Sequence, residues 1–265
     1  MAETGYPILE FDRDPNAKIN PEMMAEGQFS TDKLVITFFP EVMEQLKAEG
    51  KIRLEQTIAG ENPILVYRFT DADVLIILGA IGCPACAGQL GKKTLYPACA
   101  GTLDQLHAMG IQKVMFCGGG GVLDPNIGVG QLLLVEGAIR DEGFSYHYIE
   151  PSRIIYTEEP VTQRIADYLK EHSVPYLRGL TWTTDAIFRE TQTRIENRRA
   201  EGAKIVEMEQ AGCIAVAQFR GFSYGALIYG GDDVSQKEWD NRGWRSRQSI
   251  RYDLIELCKQ LTKVL

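Results

Sequence analysis

No run in this chain is apolar for the roughly 18 residues that a membrane span needs, and the first residues lack the charged, apolar and small-residue zones of a secretory leader. A soluble, cytoplasmic protein with no membrane partner is expected. Basic residues are in deficit: 28 Lys and Arg against 36 Asp and Glu leave a formal net charge of −8. Phosphate backbones demand a basic face, so no nucleic acid is expected as a partner. The one cationic run, Arg194 to Arg199, is broken by Glu196 and reads as a solvated helix face. Cysteine is sparse too, and six in 265 residues are too few for a disulfide scaffold. Cys83 and Cys86 have the spacing of a redox or metal pair. They follow Gly79-Ala80-Ile81-Gly82 in mid-chain, however, instead of opening a helix after the first strand of a small domain. A zinc site would have to recruit Cys99 and His107 at a spacing that matches no standard finger. Ordinary half-buried thiols are expected, with no metal and no cofactor. Internal repeats and low-complexity segments are absent.

What is present has the composition of a globular protein, 45% hydrophobic and 24% charged. Residues 1–30 are polar and punctuated by Pro7, Pro15 and Pro21, which predicts an extended arm before a domain at 31–265. Runs rich in Val, Ile, Leu and Phe predict strands at Lys33–Phe39, Ile64–Phe69, Val74–Gly79, Lys113–Cys117 and Gln131–Glu136, and again at Leu177–Thr183, Ala203–Glu207 and Tyr224–Gly230. Apolar residues at helical spacing mark Gly101–Gly110, Thr157–His172, Ala211–Phe219 and Ser249–Leu265. Strands alternating with helices predict one α/β domain, with a central mixed β-sheet flanked by helices on both faces.

Four glycines, Gly118 to Gly121, follow the predicted strand Lys113–Cys117. Glycine admits positive φ and close approach of a ligand to the backbone. The Rossmann pattern would need a helix next, but Pro125 interrupts one, and no Gly-Lys-Ser/Thr follows to make a P-loop. A flexible turn and a backbone-lined cleft remain open. Carboxylates gather at three predicted strand ends: Asp185, the pair Glu207 and Glu209, and the pair Asp232 and Asp233. Ligands of open α/β sheets bind outside the carboxyl ends of strands. A single acid at such a place is usually a helix cap; three such ends favour a site.

In their order along the chain these segments resemble the nucleoside phosphorylase superfamily, from about Leu34 to Asp233. Gly118 to Leu123, then Ile127 to Gly130, is similar to the family's glycine-rich sugar loop. Thr183-Thr184-Asp185-Ala186-Ile187-Phe188 resembles its Ser-Ser-Asp-x-Phe-Tyr segment beside the nucleobase, and Val206 to Ala211 resembles its Val-Glu-Met-Glu-Ala-Ala signature. The resemblance implies a nucleoside as small-molecule partner and cleavage of its N-glycosidic bond. Glu209 would hold ribose hydroxyls and Met208 would pack on the sugar. Gly119 and Gly120 would line the cleft, with Asp185 and Phe188 at the base, and Asp232 would be the catalytic acid toward a purine nitrogen. It also implies a homo-oligomer, a dimer or a hexamer of dimers.

The departures are specific. Phosphorolytic members carry Gly-Asp-Pro-x-Arg where this chain has Phe38-Phe39-Pro40-Glu41-Val42, and an Arg where it has Phe116. Two guanidiniums that suit a phosphate dianion are missing. Arg53 supplied by a neighbour, Arg140 and Arg189 are the candidate replacements. Glu41 and Glu44 are the candidate counterparts of the general base of water-using nucleosidases. Gln192-Thr193-Arg194 resembles the Gln-x-Arg pair of uridine phosphorylases, whereas Asp232 points to purines. Pentosyl transfer to phosphate at an atypical site is expected, against hydrolysis or nucleoside binding without turnover.

Overall fold

The computed structural model describes residues 5–59, 63–83 and 99–265. Its ten strands and six α-helices run β1 (Lys33–Thr37), α1 (Pro40–Ala48), β2 (Ile52–Ile58), β3 (Ile64–Phe69), β4 (Leu75–Leu78), α2 (Cys99–Ala108), β5 (Lys113–Val122), β6 (Leu132–Asp141), β7 (Ile154–Tyr156), α3 (Glu159–Glu171), β8 (Tyr176–Thr184), α4 (Gln192–Ala200), β9 (Ala203–Glu207), α5 (Gln210–Arg220), β10 (Ser223–Asp233) and α6 (Gln248–Leu261). One mixed sheet joins all the strands in the order β10-β6-β8-β9-β5-β1-β4-β3-β2, with β7 beside β6. A further β10–β5 pairing closes β5, β9, β8, β6 and β10 into a ring. This is the single-domain mixed α/β class that the alternating pattern predicts.

Both faces of the central strands are covered, which is why their sequences are apolar throughout. Along β10, Tyr224, Ala226 and Ile228 pack with α2 and α5 residues, while Leu227 and Tyr229 pack with α1, α3 and α6 residues. Helix α3 buries Val161, Ile165 and Leu169 at helical spacing. Helix α5 ends on Gly221 at φ +78°, a left-handed cap that a side chain would strain.

Two expectations change. Strand β5 does not stop at Cys117 but runs through the glycines to Val122, and none of Gly118–Gly121 has positive φ. Their role is close approach: a Cβ on Gly120 would lie 2.4 Å from Ile205 Cγ2 and 2.6 Å from the Val206 carbonyl oxygen. Only a bare backbone lets β9 cross β5 there. Strand β1 ends at Thr37 instead of Phe39, and helix α1, which apolar spacing does not mark, begins at Pro40, a residue suited to the first helical turn. The described part of the arm, residues 5–30, carries two short 3-10 turns, Pro7–Leu9 and Pro21–Met24. It is tied to the body by Phe29 N to Met109 O at 2.9 Å and Gln28 Nε2 to Ala108 O at 2.8 Å. No described helix is long and apolar enough to cross a membrane.

Candidate active site

The site is built where β9 ends against the glycine strand. Gly121 pairs with Val206 in antiparallel register, and the Val206 carbonyl and Ile205 stand over Gly120. Glu207, which ends β9, is 6% exposed and accepts hydrogen bonds from Thr183 Oγ1, Glu209 N (2.6 Å) and Gln210 N (2.7 Å). It therefore caps α5 and fixes the turn. Burial pushes its carboxyl up to about 7. Glu209, also 6% exposed, accepts from Gly82 N at 2.7 Å and Met208 N at 3.2 Å. Burial, with the Glu207 charge adding to it, pushes Glu209 up to about 8. Met208 stands half-buried between the two acids.

The other end of the cleft is the end of β10, which pairs with β5 through Tyr229↔Gly119 and Gly230↔Gly120. Asp232 is half-buried and accepts from Trp239 Nε1 at 2.6 Å. Its neighbour Asp233 is turned away, in an ion pair with Arg242 and bonded to Ser235 N at 2.8 Å. The two neighbouring carboxylates thus have separate partners. Glu190 follows the 3-10 turn Ile187–Arg189 beyond β8. Its carboxyl is half-buried, has no hydrogen-bond partner among the described residues, and is pushed up to about 7 by burial and by the charge of Asp232. Sequence reasoning missed Glu190. Its signal was present but weak: an acid five residues past Asp185 in the segment that resembles a base-binding turn.

Other expected residues lie elsewhere. Phe188 is 96% exposed among the described residues. Asp185 accepts from Gly143 N at 2.9 Å and lines a separate depression of about 410 Å³ with Arg140, Asp141, Glu142 and arm residue Tyr6. Gln192 is spent on Glu196 at 2.8 Å along α4, and Arg194 pairs with Asp141 at 2.6 Å, so the Gln-x-Arg geometry is not assembled. Arg140, 5% exposed, gives four of its five donors to Ser145 Oγ, Ser152 Oγ and the carbonyls of Ile149 and Glu150; it holds the loop after β6. Arg53 lies on the edge strand β2, mostly exposed, 3.4 Å from Glu55. Arg189 is exposed on the turn beside Phe188.

The positions that resemble phosphate-binding arginines are apolar and closed. Val42 is 0% and Phe116 2% exposed, and the rings of Phe38, just past β1, and Phe116, within β5, stand 5.0 Å apart. Glu44 pairs with Lys47, and Glu41 pairs with Arg251.

The thiols are buried more fully than expected. Cys83 donates to the Met208 carbonyl at 3.2 Å, and Cys99 and Cys213 meet at 3.3 Å. His107 Nδ1 contacts the Ile111 carbonyl at 2.9 Å. Among the described residues no three His, Cys, Asp or Glu side chains are set to hold a metal; Cys86 lies outside those residues.

With this geometry in hand, the comparisons with known proteins are informative. A guanosine phosphorylase of Halorubrum lacusprofundi is 22% identical over 167 residues, 63% of this chain and 64% of that protein. A uridine phosphorylase of Thermococcus kodakarensis is 27% identical over 92 residues, 35% of this chain and 33% of that protein. The chain thus spans less than two thirds of either relative. Among solved structures, a uridine phosphorylase of Vibrio fischeri superposes with a TM-score of 0.69 at 18% identity, covering 91% of this chain and 92% of that one. Purine nucleoside phosphorylase of Toxoplasma gondii gives 0.67 at 16%, covering 91% and 94%. AMP nucleosidase of Bacteroides thetaiotaomicron gives 0.63 at 19%, covering 87% of each. These likenesses establish the fold. The family model of the phosphorylase superfamily matches residues 33–251, and the chain belongs to that superfamily.

Proposed function

We propose that the protein cleaves the N-glycosidic bond of a nucleoside by pentosyl transfer, with phosphate as acceptor and a purine as the leaving base. The observation that carries this reading is the placement of two functional ends on one glycine strand. β9 meets the glycine strand at Gly121 and Val122 and leads into Met208 and Glu209, and Asp232 follows the β10 pairing that runs through Gly119 and Gly120. Glu209, as a carboxylate, accepts from ribose hydroxyls in place of the Gly82 and Met208 amides or alongside them. Half-buried Met208 supplies an apolar face to the sugar.

In the reaction the C1′–N bond breaks and its electron pair goes to the base nitrogen. An acceptor oxygen forms the new bond at C1′, and the nitrogen takes up a proton. Asp232, with Glu190 beside it, provides that proton or a hydrogen bond in its place. Burial and the nearby charge of Asp232 raise the Glu190 carboxyl so that it retains its proton near neutrality, and Asp232 accepts from the Trp239 indole.

A second reading, water as acceptor, is favoured by one observation: Val42 and the Phe38–Phe116 pair stand where phosphate-binding arginines would be expected. Release of free base from a panel of purine and pyrimidine nucleosides, with and without phosphate, separates the two. Pentose 1-phosphate as the second product supports phosphorolysis and free pentose supports hydrolysis. Tight nucleoside binding without any product would overturn both.

A further inference from the structure

Trp239 stands in the segment between β10 and α6 and is 63% exposed. Packing on the body therefore fixes little of its ring. Its one polar atom is engaged: the indole Nε1 donates to Asp232 Oδ2 at 2.6 Å. The backbone brings the two together. Asp233 and Asp240 form an antiparallel bridge, with Asp233 N donating to Asp240 O at 2.8 Å and Asp240 N to Asp233 O at 3.0 Å. Arg242 clamps the same segment through its ion pair with Asp233 and through Nη1 to the Ile127 carbonyl at 2.8 Å. The bridge thus joins the residue after Asp232 to the residue after Trp239, and the indole reaches the carboxyl from a fixed backbone.

An indole nitrogen only donates, so the oxygen it holds must act as an acceptor. A bond from N–H to a carboxylate is charge-assisted and stronger than one to a neutral carboxyl, so the proton of two neighbouring acids is better carried by the other one. Glu190 is that other acid. Its carboxyl is half-buried, has no hydrogen-bond partner among the described residues, and is faced by Asp232 from the end of β10 and by Arg194 from α4. Burial and the Asp232 charge push it up to about 7 against the opposite effect of Arg194, which is itself paired with Asp141. Tyr229 is the other titratable group on which the Asp232 charge acts, and its hydroxyl donates to the Trp244 carbonyl at 3.2 Å.

We propose that Trp239 is a positioning residue whose indole N–H holds Asp232 as an acceptor and so leaves Glu190 as the acid that protonates the leaving base. The proposal rests on the pentosyl-transfer reading and divides the roles of its two acids. When the C1′–N bond breaks, its electron pair stays on the base nitrogen, which takes the Glu190 proton. Glu190 is left as a carboxylate and regains a proton from solvent after the products leave. Asp232 remains an acceptor throughout. Without the indole, either acid could hold the proton, and the two would share it.

The test uses the full-length protein and the variants Trp239→Phe, which keeps a ring and loses the N–H, and Trp239→Gln, whose amide restores a donor. Trp239→Phe should lower kcat for purine nucleosides by about tenfold or more with nucleoside KM nearly unchanged. The alkaline limb of its pH profile should also move above about 7, because the pair can hold its last proton on either acid. Trp239→Gln should recover part of both effects. A lowered kcat with the wild-type limb, or no change in either, would overturn the assignment and leave the pentosyl-transfer reading intact. A second measurement needs no turnover. The nitrogen-15 spectrum should hold three indole signals, one for each tryptophan, and Trp239→Phe identifies the one that reports on Asp232. In the wild type that signal should shift as pH passes through about 7, and Glu190→Gln should remove the shift. If no nucleoside is cleaved, the pentosyl-transfer reading fails, and the spectrum still tests the hold of Trp239 on the acid pair: a signal that follows Glu190 supports it, and one untouched by pH refutes it.

Discussion

Replacing Glu209 with Gln is the most informative single change, because its effects on stability and on binding have opposite pH signatures. Glu209 and Glu207 share one buried pocket, and Glu209 is held up to about 8 against an ordinary value of 4.5. The native state therefore keeps a proton that the unfolded chain releases above pH 4.5. This contribution to stability is full below about pH 4.5 and is lost as pH rises through about 8. At 1.36 kcal/mol per unit, the loss amounts to at most about 5 kcal/mol. In the variant, the amide oxygen keeps the Gly82 N–H bond, while its NH2 faces the Met208 N–H and costs about 1 kcal/mol. Melts from pH 5 to 9 should thus show the variant slightly less stable than wild type at pH 5 and more stable at pH 8.5. Sugar binding runs the other way. Hydroxyl donors prefer the carboxylate, so wild-type nucleoside affinity should rise with pH up to about 8, whereas the variant should be flat and weaker by about 1.5–3 kcal/mol at pH 8.5. Wild-type melts with no slope between pH 5 and 8, or a variant with the wild-type slope, would refute the argument from burial. Unchanged calorimetric affinity at pH 8.5 would remove Glu209 from the sugar site.

Asp232→Asn should lower turnover of purine nucleosides by about 10²–10⁴-fold with binding largely kept, and uridine cleavage should suffer less; full purine turnover would leave Asp232 a structural acid held by Trp239. If Glu190 holds the proton that the base receives, kcat/KM should decline as pH rises through about 7, and Glu190→Gln should abolish that limb; an identical pH profile in the variant would exclude the role. Gly120→Ala places a Cβ 2.4 Å from Ile205 and 2.6 Å from a backbone oxygen, so denaturant unfolding should show a loss of about 1–3 kcal/mol. Sedimentation should find a dimer or a hexamer at micromolar concentration, with fully exposed Phe188 and edge-strand Arg53 available to a neighbour; a stable monomer would count against both as shared residues.

The fold was legible because the strands at its centre are buried on both faces and so appear in the sequence as unbroken apolar runs. Ala203–Glu207 and Ile64–Phe69 match their predicted limits for that reason. Edge strand β2, with Arg53, Glu55, Gln56 and Thr57 among seven residues, has too little apolar signal to stand out. The strand-end carboxylates were also legible as a group, but their division of labour was not. A sequence places Glu207 beside Glu209 and Asp232 beside Asp233 without saying which one turns outward. Glu207 is claimed by Thr183 and the α5 amides, and Asp233 by Arg242. The coupling of Glu190 to Asp232 joins residues 42 positions apart and depends on the ring of strands that brings the β8 and β10 ends to one cleft.

The glycines of β5 are not the flexible turn that remained open in the sequence. Their number suggested a loop, since four bare residues in sequence usually serve backbone freedom. In the structure their backbone is ordinary strand, and what the missing side chains provide is volume. Phe116 turns over Gly118, Tyr229 over Gly119, and Ile205 with Val206 over Gly120. The strand at the centre of the cleft thus contributes no side chain to it, and its neighbours contribute in its place. The charged side chains nearest it come from the ends of β9 and β10, as Glu207 and Asp232. A Thr at Gly119 would drive its Cβ into the Tyr229 ring at 2.7 Å, and with Tyr229 displaced the Arg251 guanidinium would lose the hydroxyl that orients it. Identity at Gly119 is therefore coupled to Tyr229 and Arg251, residues 110 and 132 positions away in sequence.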